Sequence, residues 1–513
     1  MNFTIFDYFI VTAYIILIFY SGSFVKKYVG NMADFLVANR SMGFHLGLVS
    51  LLSSEIGIIT YMYLSEAGYK NGFVALMIGI PFFIVFVFLG KTGFIVKPLM
   101  DMKIMTLPEL FQKRFGRGIR FLSALLMAIG GIINFGVFPG IEANFINTIT
   151  GIPHKYVFFT MVVMLTIVLI YTALGGMVSV IITNYIQFIL LSLGMVFIAI
   201  VGVVNMGWGN IVASVSKNFG EKGFNPFIGD FGWNFIVWQL LFQLSVLAVA
   251  PFITMRIFSA KDTKTGRKIF TWSSIMFLAR AVIPVFWGIL ALSYFTLNPG
   301  KPSNPMDAVP LMILNITPKG ILGLVFASLL AASMSTYASY LLSWSSVISQ
   351  DIIGVVANKL RGGKDLPNKT QMIISRGTML AVMIFIVWWS FFYHFQGLVF
   401  FYLMLSGNLY LAGTLVSAIG GIYFEKKKFG LFRARSGGAY FAFILGAMVV
   451  AWYFFPQGFR NLFPDFIKNL YPSDPIKSGS VLGYWSYIIA AGGMIVGSFL
   501  HNLLQPIKNE REM

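Results

Sequence analysis

Thirteen stretches of this chain are apolar over lengths that reach across a bilayer. They lie near residues 6–25, 46–68, 73–98, 119–147, 156–175, 177–204, 235–255, 270–296, 320–349, 371–394, 398–424, 438–455 and 482–503. This repetition restricts the fold more than any motif does. Hydrocarbon supplies no hydrogen-bond partners, so a chain crossing it must satisfy every backbone N–H and C=O internally. A run of about 20 apolar residues does so as an α-helix. The 513 residues are 58% hydrophobic and only 11% charged, outside the range of soluble domains. The reading is an all-α polytopic membrane protein with about thirteen transmembrane helices, residues 1–513 forming one transmembrane domain. No basic segment and no small-residue cleavage site accompanies the first run, so it is expected to stay as a span.

The formal charge of +19 is a matter of topology. One set of connections carries Lys26, Lys27 and Arg40, then Lys103, Lys113, Arg114 and Arg117, then Arg256, Lys261, Lys264, Arg267 and Lys268. Lys359, Arg361, Lys364 and Lys369 continue it, followed by Lys426 to Lys428, Arg433 and Arg435, and by Lys508 and Arg511. The alternate connections hold only Lys70, Lys155, Lys217, Lys222, Lys301, Lys319, Arg460, Lys468 and Lys477. Cytoplasmic connections are the Lys/Arg-rich ones, so the N-terminus is expected outside the cell membrane and the C-terminus inside. The basic residues then serve topology and anionic-lipid contact. No nucleic-acid-binding motif accompanies them, no ATP-binding motif is present, and no obligate protein partner is evident. Cysteine is absent, which excludes disulfides and thiolate metal sites. His45, His154, His394 and His501 are scattered without metal-ligand spacing and are assigned no chemistry.

Residues Gly323 to Asp351 are the most distinctive span. Ser328, Ala332, Ser335, Thr336, Ser339, Ser343 and Ser346 recur every three or four residues and share one helix face. Small residues permit tight helix packing, with each hydroxyl bonded back to its own backbone. The same ladder also suits a hard monovalent cation, which takes neutral oxygens from hydroxyls and carbonyls.

Two further spans read as interrupted. The second carries Ser53, Ser54, Glu55, Gly57 and Thr60 in its middle, and the seventh carries Ala250 and Pro251 late in its run. They lie five spans apart, each opening a five-helix unit, spans 2–6 and 7–11. Broken helices at matching places in two halves point to a transporter site, because the freed backbone groups line a cavity. The organisation expected is a first span and cytoplasmic loop (1–45) and two inverted repeats (46–204 and 235–424). Two C-terminal spans with a short cytoplasmic tail (437–513) complete it.

Over roughly its first 430 residues the chain resembles the sodium/solute symporter family. The stretches concerned are ADFLVANRSMG (33–43), TLPELFQKRFG (106–116), YTALGGMVSVIITNYIQ (171–187), RIFSAKDTKTGRK (256–268) and the hydroxyl-rich span ending SQDII. The resemblance implies a leucine-transporter-like five-plus-five inverted repeat, one extra helix before it and two after. It also implies a coupling sodium between spans 2 and 9. That ion would take the carbonyls of Ser53, Ile56 and Ala332 and the hydroxyls of Ser335 and Thr336. Some family members hold a second sodium through an Asp, where this chain has Asn184, and through a hydroxyl, where it has Ala338. An amide lacks the charge that offsets desolvation of a second ion, so that site is read as lost.

By the same resemblance Gly57, Thr60, Asn134, Ala250 and Arg280 face the solute. Sugar-carrying members present many amide and carboxylate groups there. This chain has Gly79, Phe82, Ala250 and Met404 near those positions, which disfavours a sugar. Arg280 lies among Phe277, Leu278, Val282 and Ile283, and an arginine so placed is a functional-site hypothesis by default. It either neutralises Glu55 or Glu142, also intramembrane, or receives a substrate carboxylate on its planar fork. The reading is a sodium-coupled symporter importing a small carboxylate or amino acid by alternating access, not an enzyme. The alternative is a transporter-fold protein that senses a ligand or anchors a partner without transport.

Overall fold

The structure, a computed structural model, describes residues 3–505 apart from 229–232, 299, 301, 303, 319, 394–398 and 455–474. Of the positions used above, His394, Lys301, Lys319, Arg460, Lys468, Lys508 and Arg511 lie outside the described residues. Most of the connection at 456–481 and most of the C-terminal tail do too. Among the described residues the chain is helical, with no strand beyond an isolated bridge between Met42 and Ala260.

The helices that carry the argument are α1 (Ile5–Phe24), α2 (Phe44–Ser54), α3 (Ile58–Asn71), α4 (Gly79–Thr92), α5 (Arg117–Gly136), α6 (Phe138–Thr150) and α7 (Val157–Met206). They continue with α8 (Trp233–Val249), α9 (Pro251–Ser259), α10 (Thr263–Leu297), α11 (Leu322–Ser346), α12 (Asn368–Phe392), α13 (Val399–Tyr423), α14 (Ser436–Phe454) and α15 (Pro475–Leu504). Among the described residues ten helices are long and apolar enough to cross a membrane, or eleven if the bent pair α8 and α9 is one span. The expected thirteen separate runs are thus not thirteen separate helices. Spans 5 and 6 run together in α7, and span 3 continues from span 2 without a clean break.

Burial shows which helix is central. In α11 and its continuation, 94% of the membrane-length window is buried within the protein, against 22% in α1. A helix buried all round cannot carry bulky residues on every face, which accounts for the small and hydroxyl residues of α11. Its N-terminus is held by α1, where the Asp7 carboxylate accepts the Gly323 N–H at 2.6 Å. Past Ser346 it continues as a π-helical segment, Val347–Ile353.

Three helix breaks are local consequences of sequence. Between α2 and α3 the chain leaves helical geometry at Glu55–Gly57, with Gly57 extended (φ −102°, ψ 171°). A Cβ on Gly57 would lie 3.0 Å from Thr336 Oγ1 and 3.3 Å from Glu142 Oε1, so a larger residue would have to push these side chains back. Between α8 and α9 the helix bends by 45°. Pro251 starts the new helix without an N–H and holds Ala250 extended (ψ 134°). Within α7, Gly176 takes φ +51°, ψ −139°, and a Cβ there would strike the Phe35 carbonyl at 2.4 Å.

Candidate functional site

The break in span 2 releases backbone groups that must be satisfied, and several find specific partners. The Ser53 carbonyl accepts the Ser335 hydroxyl at 2.7 Å. The Glu55 carbonyl accepts from Thr60 Oγ1 at 3.1 Å and from Arg280 Nε at 2.6 Å. Glu142 of α6 caps the second half, its Oε1 accepting the Ile59 N–H at 3.0 Å. A carboxylate at a helix N-terminus is favoured by the orphan N–H groups there. Its other oxygen accepts a short hydrogen bond from the Ser333 hydroxyl.

Four of the five oxygens assigned to sodium form one hydrogen-bonded knot. Ser335 Oγ donates to the Ser53 carbonyl and, at 2.8 Å, to the Ala332 carbonyl, while Thr336 Oγ1 donates to Ala332 at 3.1 Å. The Ile56 carbonyl belongs to the same unwound segment. Ser53 Oγ is buried there without a partner. The donor set is neutral oxygen throughout, which suits a monovalent hard cation. The Ser335 and Thr336 hydroxyls have lone pairs to offer such an ion in place of their present donation.

At the position of the second ion, Asn184 Nδ2 donates to the Ser50 carbonyl and hydroxyl, each at 3.3 Å. Ala338 is buried and offers no oxygen. The neighbouring Ser339 hydroxyl accepts from Arg256 Nη2 at 2.6 Å. Arg256 is a correction to the sequence reading, which counted it among loop charges. It is 1% exposed, within α9, with Nη1 donating to the Phe252 carbonyl at 2.7 Å. The signal was available: Arg256 interrupts the apolar run PFITMRIF one turn after a proline.

Beside the knot is a cavity of about 100 Å³. Glu55, Thr60, Asn134, Gln243, Arg280 and Thr336 supply its polar wall, and Phe82, Phe138, Phe242, Phe252 and Phe400 much of the rest. Thr60, Asn134 and Arg280, three of the positions expected to face the solute, line this cavity, and so do Phe82 and Met404. Gly57 and Ala250 are not in its wall. Gly57 sits against Thr336 and Glu142, and the Ala250 carbonyl is taken by the N–H groups of Ile253 and Thr254. The Asn134 amide donates to the Leu403 carbonyl and to Ser406, tying α5 to α13. Gln243, which the sequence reading did not select, contributes a buried Oε1 without a partner.

Arg280 is 6% exposed, with its guanidinium carbon 5.3 Å from the ring centres of Phe82 and Phe277. Among the described residues no ion pair joins it to Glu55 or Glu142. It bonds the Glu55 carbonyl, and Nη2 reaches Thr60 Oγ1 at 3.4 Å. Arg280 Nη1 and Glu55 Oε1, both buried at the cavity, have no hydrogen-bond partner. Leaving a buried hydrogen-bonding atom without a partner is costly.

The sequence profile of the sodium:solute symporter family matches residues 35–446. A sodium/proline symporter of Staphylococcus aureus is 23% identical over 406 residues, 74% of this chain and 73% of that protein. The corresponding protein of Staphylococcus aureus strain Newman is 23% identical over 407 residues, with the same coverage. A substrate-bound, outward-open structure of a Na+-coupled sialic acid symporter superposes with a TM-score of 0.79 at 17% identity. It covers 97% of this chain and 98% of that one, and the likeness is one of fold.

Proposed function

The chain belongs to the sodium:solute symporter family, and from that premise we propose that it imports a small zwitterionic or acidic solute with one sodium ion by alternating access. Sodium is the coupling ion, and the protein is a multi-pass membrane transporter rather than an enzyme. In this reading α7 counts as two spans reversing at Gly176, and α2–α3 and α8–α9 are the broken first helices of two inverted repeats. The Lys/Arg-rich connections lie in the cytoplasm, with the N-terminus outside. Sodium takes the carbonyls of Ser53, Ile56 and Ala332 and the hydroxyls of Ser335 and Thr336.

One observation carries the solute class: an unpartnered guanidinium nitrogen and an unpartnered carboxylate oxygen at the same small cavity. A solute carboxylate completes Arg280, and an ammonium completes Glu55. The apolar aromatic wall and the small volume favour an amino acid or small acid over a sugar, whose hydroxyls would find few partners. Proline is carried by the staphylococcal relatives and is one such molecule.

The test is uptake of a mixed solute library into proteoliposomes with and without an inward sodium gradient, followed by acid-versus-amide competition. Losing a charged hydrogen-bonded partner costs about 1.5–3 kcal/mol, roughly ten- to a hundredfold in affinity. The acid should therefore outcompete its amide by that factor, and Arg280→Gln should remove the preference while the protein stays folded. An unchanged preference in a folded Arg280→Gln protein rejects the assignment.

A further inference from the structure

A cavity of about 1110 Å³ opens between the N-terminal end of α5, the π-helical end of α11 and the start of α12, with Glu109, Gln112 and Arg120 in its wall. Its mouth is cationic. Arg117 and Lys359 line it, both are exposed, and neither enters an ion pair among the described residues. Of the two acids in its wall, Glu109 lies 3.8 Å from Arg120, while the exposed Asp365 accepts from the neutral Asn358 amide at 2.8 Å and keeps its charge, which leaves the mouth with two free cations against one free anion. Ile374 also lines a second cavity, of about 490 Å³, which runs along α12.

The second cavity is apolar. Ile132, Ile348, Ile353, Ile374, Ala381 and Phe385 form most of its wall. Its floor at Gly377 is open, since a Cβ there would meet no atom within 4 Å. Thr378 Oγ1 in the wall is satisfied by the Ile374 carbonyl at 2.8 Å, so it asks for no polar ligand. A net-positive mouth next to an apolar trough has the charge pattern of a phospholipid, anionic head first and acyl chain second.

We propose that this composite groove binds one anionic phospholipid of the bilayer, its phosphate at Arg117 and Lys359 and an acyl chain along Ile374, Gly377 and Ala381. The occupant would rest against the π-helical end of α11, the helix that bears the candidate sodium oxygens. The proposal depends on the membrane placement and not on the solute assignment.

The experiment is native mass spectrometry of the full-length protein purified with equal phosphatidylglycerol and phosphatidylcholine. Two cations near the surface should favour retention of phosphatidylglycerol by roughly tenfold. Arg117→Gln with Lys359→Gln should bring retention of the two lipids to parity. Gly377→Leu puts a side chain into the trough at a position where a Cβ meets no atom within 4 Å, with better helix propensity, and should lower retention of both lipids. Lys217→Gln with Lys222→Gln, on connections of the other set, should leave the preference intact. Soluble glycerol phosphate should not displace the lipid. Equal retention by the unmodified protein, or a preference that survives Arg117→Gln with Lys359→Gln, overturns the proposal. So does displacement by glycerol phosphate with no effect of Gly377→Leu, which would mark a free-anion site.

Discussion

In the proposed sodium site Ser335 and Thr336 supply the two side-chain ligands. Their hydroxyls already converge on the Ser53 and Ala332 carbonyls, so little reorganisation separates the present knot from an ion shell. Replacing both by alanine deletes two of five proposed ligands. Sodium-driven uptake should then fall by about tenfold or more, because each lost ligand is worth on the order of a kcal/mol. Folding should persist, since the carbonyls keep their helix partners. Full sodium-driven uptake by the double variant would remove the site assignment. The proposed stoichiometry of one sodium also rests on single residues. Asn184 spends its amide on Ser50, Ala338 has no oxygen, and the Ser339 hydroxyl is held by the buried cation of Arg256. A second cation beside that guanidinium would meet like charge at close range. Sodium activation should show a Hill coefficient near one, and a charge-to-solute ratio requiring two sodium ions would contradict this.

At the scale of elements, the broken span between α2 and α3 depends on an outside cap. The Ile59 N–H, at the new helix start, is met by Glu142 from α6. Removing the acceptor leaves a buried donor unsatisfied, at a cost of about 1–3 kcal/mol. Glu142→Ala should lower the thermal midpoint of the purified protein. Glu142→Gln keeps an acceptor oxygen for Ile59 and an amide for Ser333, and should hold the midpoint close to that of the parent. If both variants are equally stable, the cap is not what maintains the break. If Glu142→Gln is as damaged as the alanine variant, the charge itself is required.

For the whole molecule, the end of α11 is clamped by a polar cluster that joins distant parts of the chain. Arg120 lies 2.6 Å from the buried Asp351, which also accepts from Thr106 at 2.9 Å. Arg120 further reaches Gln112 Oε1 at 2.5 Å. In an alternating-access cycle such a cluster must open when the site faces its side of the membrane. Asp351→Asn loses a charged hydrogen bond worth about 1.5–3 kcal/mol, which should shift opening by roughly tenfold or more. The chain has no cysteine, so Ser346→Cys supplies a single reporter one turn inside the clamp. Its labelling by a small thiol reagent from that side should quicken in the Asp351→Asn background. Equal labelling rates with and without Asp351→Asn would show that the cluster does not gate.

What the sequence alone determined follows from rules that act along the chain. Membrane residence follows from apolar runs, because each helix must meet its own backbone bonds in hydrocarbon. The break at Gly57 and the bend at Pro251 are backbone chemistry, and the hydroxyl face of α11 is periodicity. The members of the oxygen knot were named only through the family resemblance, since nothing in the spacing pairs span 2 with span 9. What only the tertiary structure decided was pairing between spans. Arg280 has two acids within reach on paper, yet it bonds a backbone carbonyl opened by the helix break, while Glu142 turns to cap Ile59. Arg256 reads as one more charge of a basic connection until α9 folds it against Ser339. Gln243 becomes part of the cavity only when α8 is set against α10 and α13. A buried polar atom is satisfied by whichever group the packing brings within about 3 Å, and that distance is a property of helix placement rather than of residue spacing.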